Sequence, residues 1–413
     1  MELIRAHVQR AGFSSSWEDI ILEMLMQKKT GDWEGEHPYV DGPDFSRTNS
    51  QRGVFIAQAL ATILISVAPS LLSLAMMLPW ATWSSRDGEY YPLEQFLLEA
   101  NSSSAAKPYL QDLREVYIMT DECGYDEYEE TIDDRYYVRT DFLDCFRMFD
   151  KLSSIESLGI DGITDDDEDE PIIEEAASKL TKLHVNHSAL DDICLARAIS
   201  ACKSLKELQY SIGGRGTLSD DKGHLNNKTF SKTILKHKNS LEVLDIDSGK
   251  DFYYHNISDI DTGYDNEGGD QLRLYRLVGE TETTGFLSSF WDNHGSLKDF
   301  SNLKSLSLGI GLLMYLVYGE NGIRDGTESK LVDSIPKNLE YLCVRGYQRA
   351  EVPKHDAPID VLMGAFNSGS LGLKEIWGIE TVIPFTNHYD VYNNRKSDRW
   401  CLQSSGYSLQ EQL

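Results

Sequence analysis

Leu180-Thr181-Lys182-Leu183-His184-Val185 is followed 25 residues later by Leu205-Lys206-Glu207-Leu208-Gln209-Tyr210, and preceded 25 residues earlier by Ile155-Glu156-Ser157-Leu158-Gly159-Ile160. Each is an L-x-x-L-x-L phrase. Apolar residues at alternate positions put two side chains on one face of a short strand. The leading residue, three places earlier, turns into the same interior as the chain enters that strand. One such unit cannot bury its own apolar face, whereas stacked copies share a continuous core. Further copies begin at Leu71, Leu113, Leu241, Leu303, Leu339 and Leu373, making nine. The 25-residue step lies within the period of roughly 20–29 residues expected of leucine-rich repeats. Other steps run from 34 to 42, and the step from Leu241 to Leu303 is 62, so insertions are required.

The stretches between phrases read as helix. Apolar residues recur at helical spacing over residues 55–67, 189–201, 230–237, 329–335 and 359–366. Asp191 and Asp192 near the start of the second stretch suit the positive end of a helix dipole. Helix alternating with strand around one core predicts an α/β fold. The expected form is an irregular leucine-rich-repeat solenoid, a horseshoe with parallel strands on its concave face and helices outside. The place three residues after each phrase holds Pro79, Asp121, Ile163, Ser188, Gly213, Gly249, Gly311 and Tyr347. No asparagine ladder forms from such residues, so uneven coils are expected.

This pattern divides the chain into residues 1–53, a helical cap or degenerate F-box-like segment with a loop; 54–380, the repeat array; and 381–413, a polar tail. Acidic insertions are expected at about 120–135, 164–175 and 247–285, because runs of like charge resist packing. Residues 17–29 (WEDIILEMLMQKK) form an amphipathic helix with Ile20, Ile21, Met24 and Leu25 on one stripe. That stripe either covers the open end of the array or docks a partner.

Composition narrows the function classes. The chain is 41% hydrophobic, ample for a buried core, and carries 67 acidic against 39 basic residues for a net charge of -28. That charge repels nucleic-acid phosphates and anionic membranes, so a protein partner with a basic face is the easier expectation. Residues 54–78 are largely apolar, yet Pro69 divides them into pieces too short to span a bilayer. The six scattered cysteines, Cys123, Cys145, Cys194, Cys202, Cys343 and Cys401, read as reduced packing residues of a cytoplasmic or nuclear protein.

Over residues 55–119, ALATILISVAPSLLSLAMMLP is followed by PLEQFLLEANSSSAAKPYLQDLREVYIM. The order of helix, strand, helix, a KP-x-L lead-in and an LREV strand resembles the fungal F-box/leucine-rich-repeat proteins, and a looser likeness extends to about Ile379. The resemblance implies recognition of a partner or substrate, as the recognition subunit of a cullin-type ubiquitin ligase. In such proteins an N-terminal helical F-box docks the ligase adaptor and usually opens with a Leu-Pro pair; residues 1–53 contain none.

No catalytic or metal signature is complete in the sequence. Residues 259–270 (DIDTGYDNEGGD) lack the glycine at position 6 and the glutamate at position 12 of a calcium loop. His184 and His187 straddle a strand end, and Gly213-Gly214-Arg215-Gly216 lacks the Lys-Ser or Lys-Thr of a phosphate loop. No cofactor or metal is expected. The candidate partner-binding residues are those interleaved with the core leucines: Glu115, Tyr117, His184, Asn186, Gln209, Asp245, Asp247, Tyr341, Arg345 and Trp377. The main reading is a protein-binding module; the competing one is an enzyme on an unfamiliar α/β scaffold.

Overall fold

Each of the nine phrases is a strand that begins two residues after its leading apolar residue. In chain order the strands are β1 (Ser73–Met77), β2 (Glu115–Met119), β3 (Val138–Arg139), β4 (Ser157–Asp161), β5 (Ile163–Thr164), β6 (Lys182–Asn186), β7 (Glu207–Ser211), β8 (Val243–Asp247), β9 (Ser305–Gly309), β10 (Tyr341–Arg345) and β11 (Glu375–Trp377). The nine phrase strands form one sheet in the order β1-β2-β4-β6-β7-β8-β9-β10-β11, while β3 and β5 pair separately. This computed structural model describes residues 2–10, 13, 15–28, 49–77, 92–102, 109–119, 138–139, 142–164, 173–190, 192–212, 227–248, 296–319, 323–324 and 326–385. The three acidic insertions, the 213–216 turn and the tail after residue 385 lie largely or wholly outside them. By contacts the chain divides into two compact units, Met1–Thr120 with Leu143–Leu158, and Asp121–Phe142 with Gly159–Leu413.

Register is set by the backbone at the residue after each leading apolar position. In the first unit the Leu72 carbonyl accepts from the N–H groups of both Arg114 and Glu115, and the Arg114 carbonyl from Glu156 and Ser157. In the second unit the carbonyls of Thr181, Lys206, Glu242, Lys304 and Glu340 do the same for the next strand, at 2.7–3.3 Å. The strands therefore pair parallel and in step, with Leu183 opposite Leu208, Leu208 opposite Leu244, Leu244 opposite Leu306 and Leu306 opposite Leu342. Side chains at this position often alternate in sign. Arg114 pairs with Glu156 at 3.5 Å, Lys304 with Glu242 at 2.7 Å, and Lys374 with Glu340 at 2.6 Å. Amide side chains add further rungs: Asn302 donates to the Asn239 carbonyl and Asn338 to the Ser301 carbonyl. The ladder missing from the consensus position is thus supplied at the strand entrances.

In the first unit, helices α1 (Glu2–Arg10), α2 (Ser15–Met26) and α3 (Asn49–Ser66) precede β1. Val8, Ile21, Met24 and Ala59 are buried together, with Ile4, Ile20, Leu25 and Ile63 around them. The apolar stripe of α2 is consumed within this helical cluster. Phe13, in the α1–α2 turn, stacks on Phe96 of α4 (Pro92–Ser102) at 5.4 Å between centroids, and Phe96 stacks on Tyr109 at 4.5 Å. Burial, reinforced by the nearby Glu99 charge, pushes the Tyr109 hydroxyl up to about 12. The end of α4 is tied to the turn after α5 (Phe142–Arg147): Asn101 donates to the Arg147 carbonyl and to Asp150, and accepts from the Lys151 N–H.

In the second unit, α6 (Asp192–Ala201) and α7 (Asn227–Leu235) carry the helical stretches read from sequence. Next comes α8 (Ile310–Tyr318), directly after β9, apolar nearly all round and buried on most sides. The unit ends with α9 (Lys330–Ser334) and α10 (Pro353–Asn367), which opens on a proline whose missing N–H costs nothing there. Tyr210 occupies a core position usually held by an aliphatic residue, and its hydroxyl is satisfied by the backbone N–H and carbonyl of Leu190. His237, buried after α7, lies with Nε2 2.9 Å from the Ile199 carbonyl while Nδ1 accepts the Leu205 N–H at 3.3 Å. Those partners require the neutral ring, and burial, aided by Lys236, holds its pKa below the ordinary value.

Replacing Leu208, fully buried, with alanine is expected to cost about 2–5 kcal/mol. Replacing Lys182, whose partner Glu207 is 2.8 Å away on the same strand face as His184, should cost under about 1 kcal/mol. Urea unfolding checks both. His237 generates a pH dependence. Because its folded pKa is depressed, the unfolded chain binds the proton first, and stability falls as pH drops below the unfolded value of about 6.5. The urea midpoint should therefore drop between about pH 7.5 and about pH 5.5, and drop less in His237→Gln.

Candidate functional site

All ten residues singled out from the sequence lie on the face of the sheet opposite the leucine core, because side chains alternate along each strand. The structure divides them into three environments. In the first unit, Glu115 and Tyr117 of β2 are exposed, with Met119 completing an alternating exposed–buried strand. In the second unit, His184, Gln209 and Asp245 stand side by side in register across β6, β7 and β8 and are partly exposed, as is Asn186. The remaining residues belong to a covered region at β8–β11.

Arg345 is only 5% exposed, as is Asp247. Its guanidinium crosses β9, where Gly309 presents no side chain, and reaches Asp245 at 3.3 Å and Asp247 at 3.7 Å on β8. On the way its Nε donates to the Ser307 hydroxyl at 3.1 Å. Burial opposes the guanidinium charge, but the two carboxylates overcome it and hold the pKa above the ordinary value.

The cover comes from the chain itself. Ile383 bridges to Arg345 as an added strand residue, its carbonyl accepting the Gly346 N–H at 2.8 Å, and packs on Cys343 with Tyr341 and Trp377 alongside. The Phe385 ring sits over Gly309 and Gly346. A Cβ on Gly309 would lie 2.6 Å from it, and Gly346 adopts φ +66°, so side chains are excluded at both. Ile383 and Phe385, at the start of the expected polar tail, lie over this face. Asp247, Arg345, Tyr341 and Trp377 are accordingly packing or ion-pair residues here as well as face residues.

Elsewhere on the face, Glu207 of β7 is bracketed by Lys182 at 2.8 Å and His184 at 3.5 Å on β6. His187, in the left-handed turn after β6 at φ 46°, faces Asp161 at 3.4 Å. The two histidines thus address different carboxylates. Among the described residues no group of three or more His, Cys, Asp or Glu side chains is placed to hold a metal ion. Cys145, Cys194, Cys202 and Cys343 are buried thiols that form no disulfide among the described residues. Burial pushes the Cys343 thiol up despite Arg345 beside it, the state of a packing residue and not of an activated nucleophile. Among the described residues no helix is long and apolar enough to cross a membrane. Sequence reading missed Ala75, Met77 and Met119, exposed on β1 and β2, and Ile383 and Phe385, which lie outside any phrase.

Arg345→Ala would leave the buried Asp247 and the partly buried Asp245 without their cation, and is expected to cost about 3–5 kcal/mol in urea unfolding. Gln209→Ala, on the same face but outside the ion-pair cluster, should stay within about 0.5 kcal/mol.

No protein-family model, curated protein or solved structure matches this chain.

Proposed function

We propose that the chain is an irregular leucine-rich-repeat solenoid that binds a protein partner through the sheet face opposite its core. The observation that carries this reading is the register. With one strand per phrase and each core leucine opposite the next, the interleaved side chains line up in rows, as in repeat arrays that present an extended surface. The row His184–Gln209–Asp245 and its neighbours Lys182, Glu207 and Asn186 mix polar, charged and partly exposed groups suited to hydrogen-bonded protein contacts. A net charge of -28 favours a partner with a basic surface over nucleic acid.

A second reading, recognition subunit of a cullin-type ubiquitin ligase, draws on one feature of the first unit. The α1–α3 cluster stands before the first strand, where the resembled family carries its adaptor-docking helices. Ile21 and Met24 are buried inside it, whereas Leu60, Leu64 and Val67, at helical spacing on and just after α3, are exposed.

Affinity capture with quantitative mass spectrometry, comparing the native protein with surface variants of equal melting temperature, tests both readings. The main reading expects a partner retained by Lys354→Ala, on α10, and lost with His184→Ala/Gln209→Ala. A partner set indifferent to the face variants defeats it. Recovery of the ligase adaptor that disappears with Leu60→Asp/Leu64→Asp would establish the second.

A further inference from the structure

In the second unit one row of the sheet face opposite the core runs unbroken across six strands. His184 stands opposite Gln209, Gln209 opposite Asp245, Asp245 opposite Ser307, Ser307 opposite Cys343 and Cys343 opposite Trp377. Its first three members are partly exposed. Ser307 and Cys343 are 0% exposed, although they occupy the same strand position as Gln209. What differs is the cover: the Arg345 side chain crosses Ser307, and Ile383 packs on Cys343. After Trp377 the chain leaves the sheet edge at Gly378, whose φ of +81° and contact with the Val344 carbonyl exclude a side chain. It passes through Glu380, Thr381 and Val382, all exposed, and returns at Ile383.

This return is separable from the core. It is held by a bridge to Arg345, the hydrogen bond from the Gly346 N–H to the Ile383 carbonyl, and the side chains of Ile383 and Phe385. Pro384 between them has no N–H to donate. Ile383 and Cys343 form a small apolar cluster with Tyr341 and Trp377, apart from the leucines on the other face. The same cover lies over Arg345, Asp245 and Asp247, charged groups that recover hydration when uncovered. Opening therefore exposes polar surface and one small cluster while the leucine core stays closed, the condition for local opening well below the global unfolding free energy. The footprint is specific in shape. Gly309 and Gly346 leave room for a ring, Cys343 takes a branched aliphatic side chain, and the Gly346 N–H takes a carbonyl.

We infer that residues 378–385 are a displaceable strap that masks the β9–β11 half of the partner face, standing in for a partner segment with the same order of branched aliphatic, proline and aromatic residues. The inference rests on the partner-binding reading above and adds regulation to it. With the strap in place a partner meets only the His184–Gln209–Asp245 half. Asp245 joins the two halves, since it belongs to the open row and is ion-paired to Arg345 under the strap. A short tether holds the strap at an effective concentration on the order of millimolar, so a free segment of that chemistry competes poorly. A segment carried by a partner already bound to the open half competes on equal terms, and the strap thereby selects partners that match both halves.

Cys343, wholly buried against Ile383, reports opening in the full chain. Labelling with N-ethylmaleimide, resolved by mass spectrometry of each cysteine peptide, compares it with Cys194 and Cys202, buried on and just after α6. In the native protein Cys343 is expected to label at least about ten-fold faster than either, at a rate indifferent to urea below the unfolding transition, whereas Cys194 and Cys202 accelerate with urea. Ile383→Ser/Phe385→Ser should speed Cys343 labelling at least about ten-fold further while keeping one cooperative urea transition. In that variant a free peptide of residues 378–385 (GIETVIPF) at about 5 mM, above the effective concentration of a short tether, should slow labelling about five-fold. The same peptide with serine at positions 383 and 385 should not. Cys343 labelling in step with Cys194 and Cys202 overturns the strap, as does equal protection by both peptides or by neither. If the double variant loses its cooperative transition, the native urea dependence decides by itself. A strap overturned in this way leaves the partner-binding reading to the His184→Ala/Gln209→Ala capture, and a partner indifferent to those variants defeats that reading even where the strap opens.

Discussion

The structure depends on one repeated backbone contact, in which a carbonyl just ahead of one strand accepts two N–H groups at the entrance of the next. It fixes where each strand starts relative to its neighbour. Because side chains alternate with period two, a slip of one residue would turn every core leucine outward and every polar residue in. The contact occurs at Leu72 and Arg114 in the first unit and from Thr181 to Glu340 in the second. It tolerates wide variation in what lies between strands, since loop length adds closure entropy only slowly. The 62-residue step from Leu241 to Leu303 therefore ends in the same register as the 25-residue step from Leu180 to Leu205.

Several polar groups inside the second unit are held by local contacts specific to one place in the array. Tyr210 borrows the Leu190 backbone, and His237 joins the end of α7 to α6 and to the entrance of β7. Arg345 is the largest of these commitments, a buried cation held by two carboxylates and a hydroxyl under a cover formed by Ile383 and Phe385. Buried ion pairs are weak sources of stability relative to apolar packing, but breaking one is expensive. Such a cluster specifies which strands stand two apart, since Arg345 finds its partners on β8 only by crossing the glycine of β9.

In the first unit the N-terminal helices pack among themselves and reach α4 through the Phe13–Phe96–Tyr109 stack. That stack ties the N-terminal helices to the segment between β1 and β2. Exposed Leu60 and Leu64 on α3 and exposed Met77 and Met119 on β1 and β2 are distinct apolar features of this unit.

The sequence by itself determined the strands. All nine phrases became strands of one sheet, with their alternate residues inward, because burial of leucine on one face of a pleated ribbon is a local rule readable from spacing. The helices over residues 55–67, 192–201 and 230–235 were legible for the same reason. The ten face residues alternate with those core positions along their strands. Only the tertiary structure decided which of them meet solvent. Asp247 and Arg345 look in sequence like Glu115 and Gln209, yet they are buried, because their exposure depends on residues 100 apart along the chain and on a tail segment that obeys no repeat. Periodicity reports which face a side chain takes; what lies over that face is a contact between distant segments, and no local spacing encodes it.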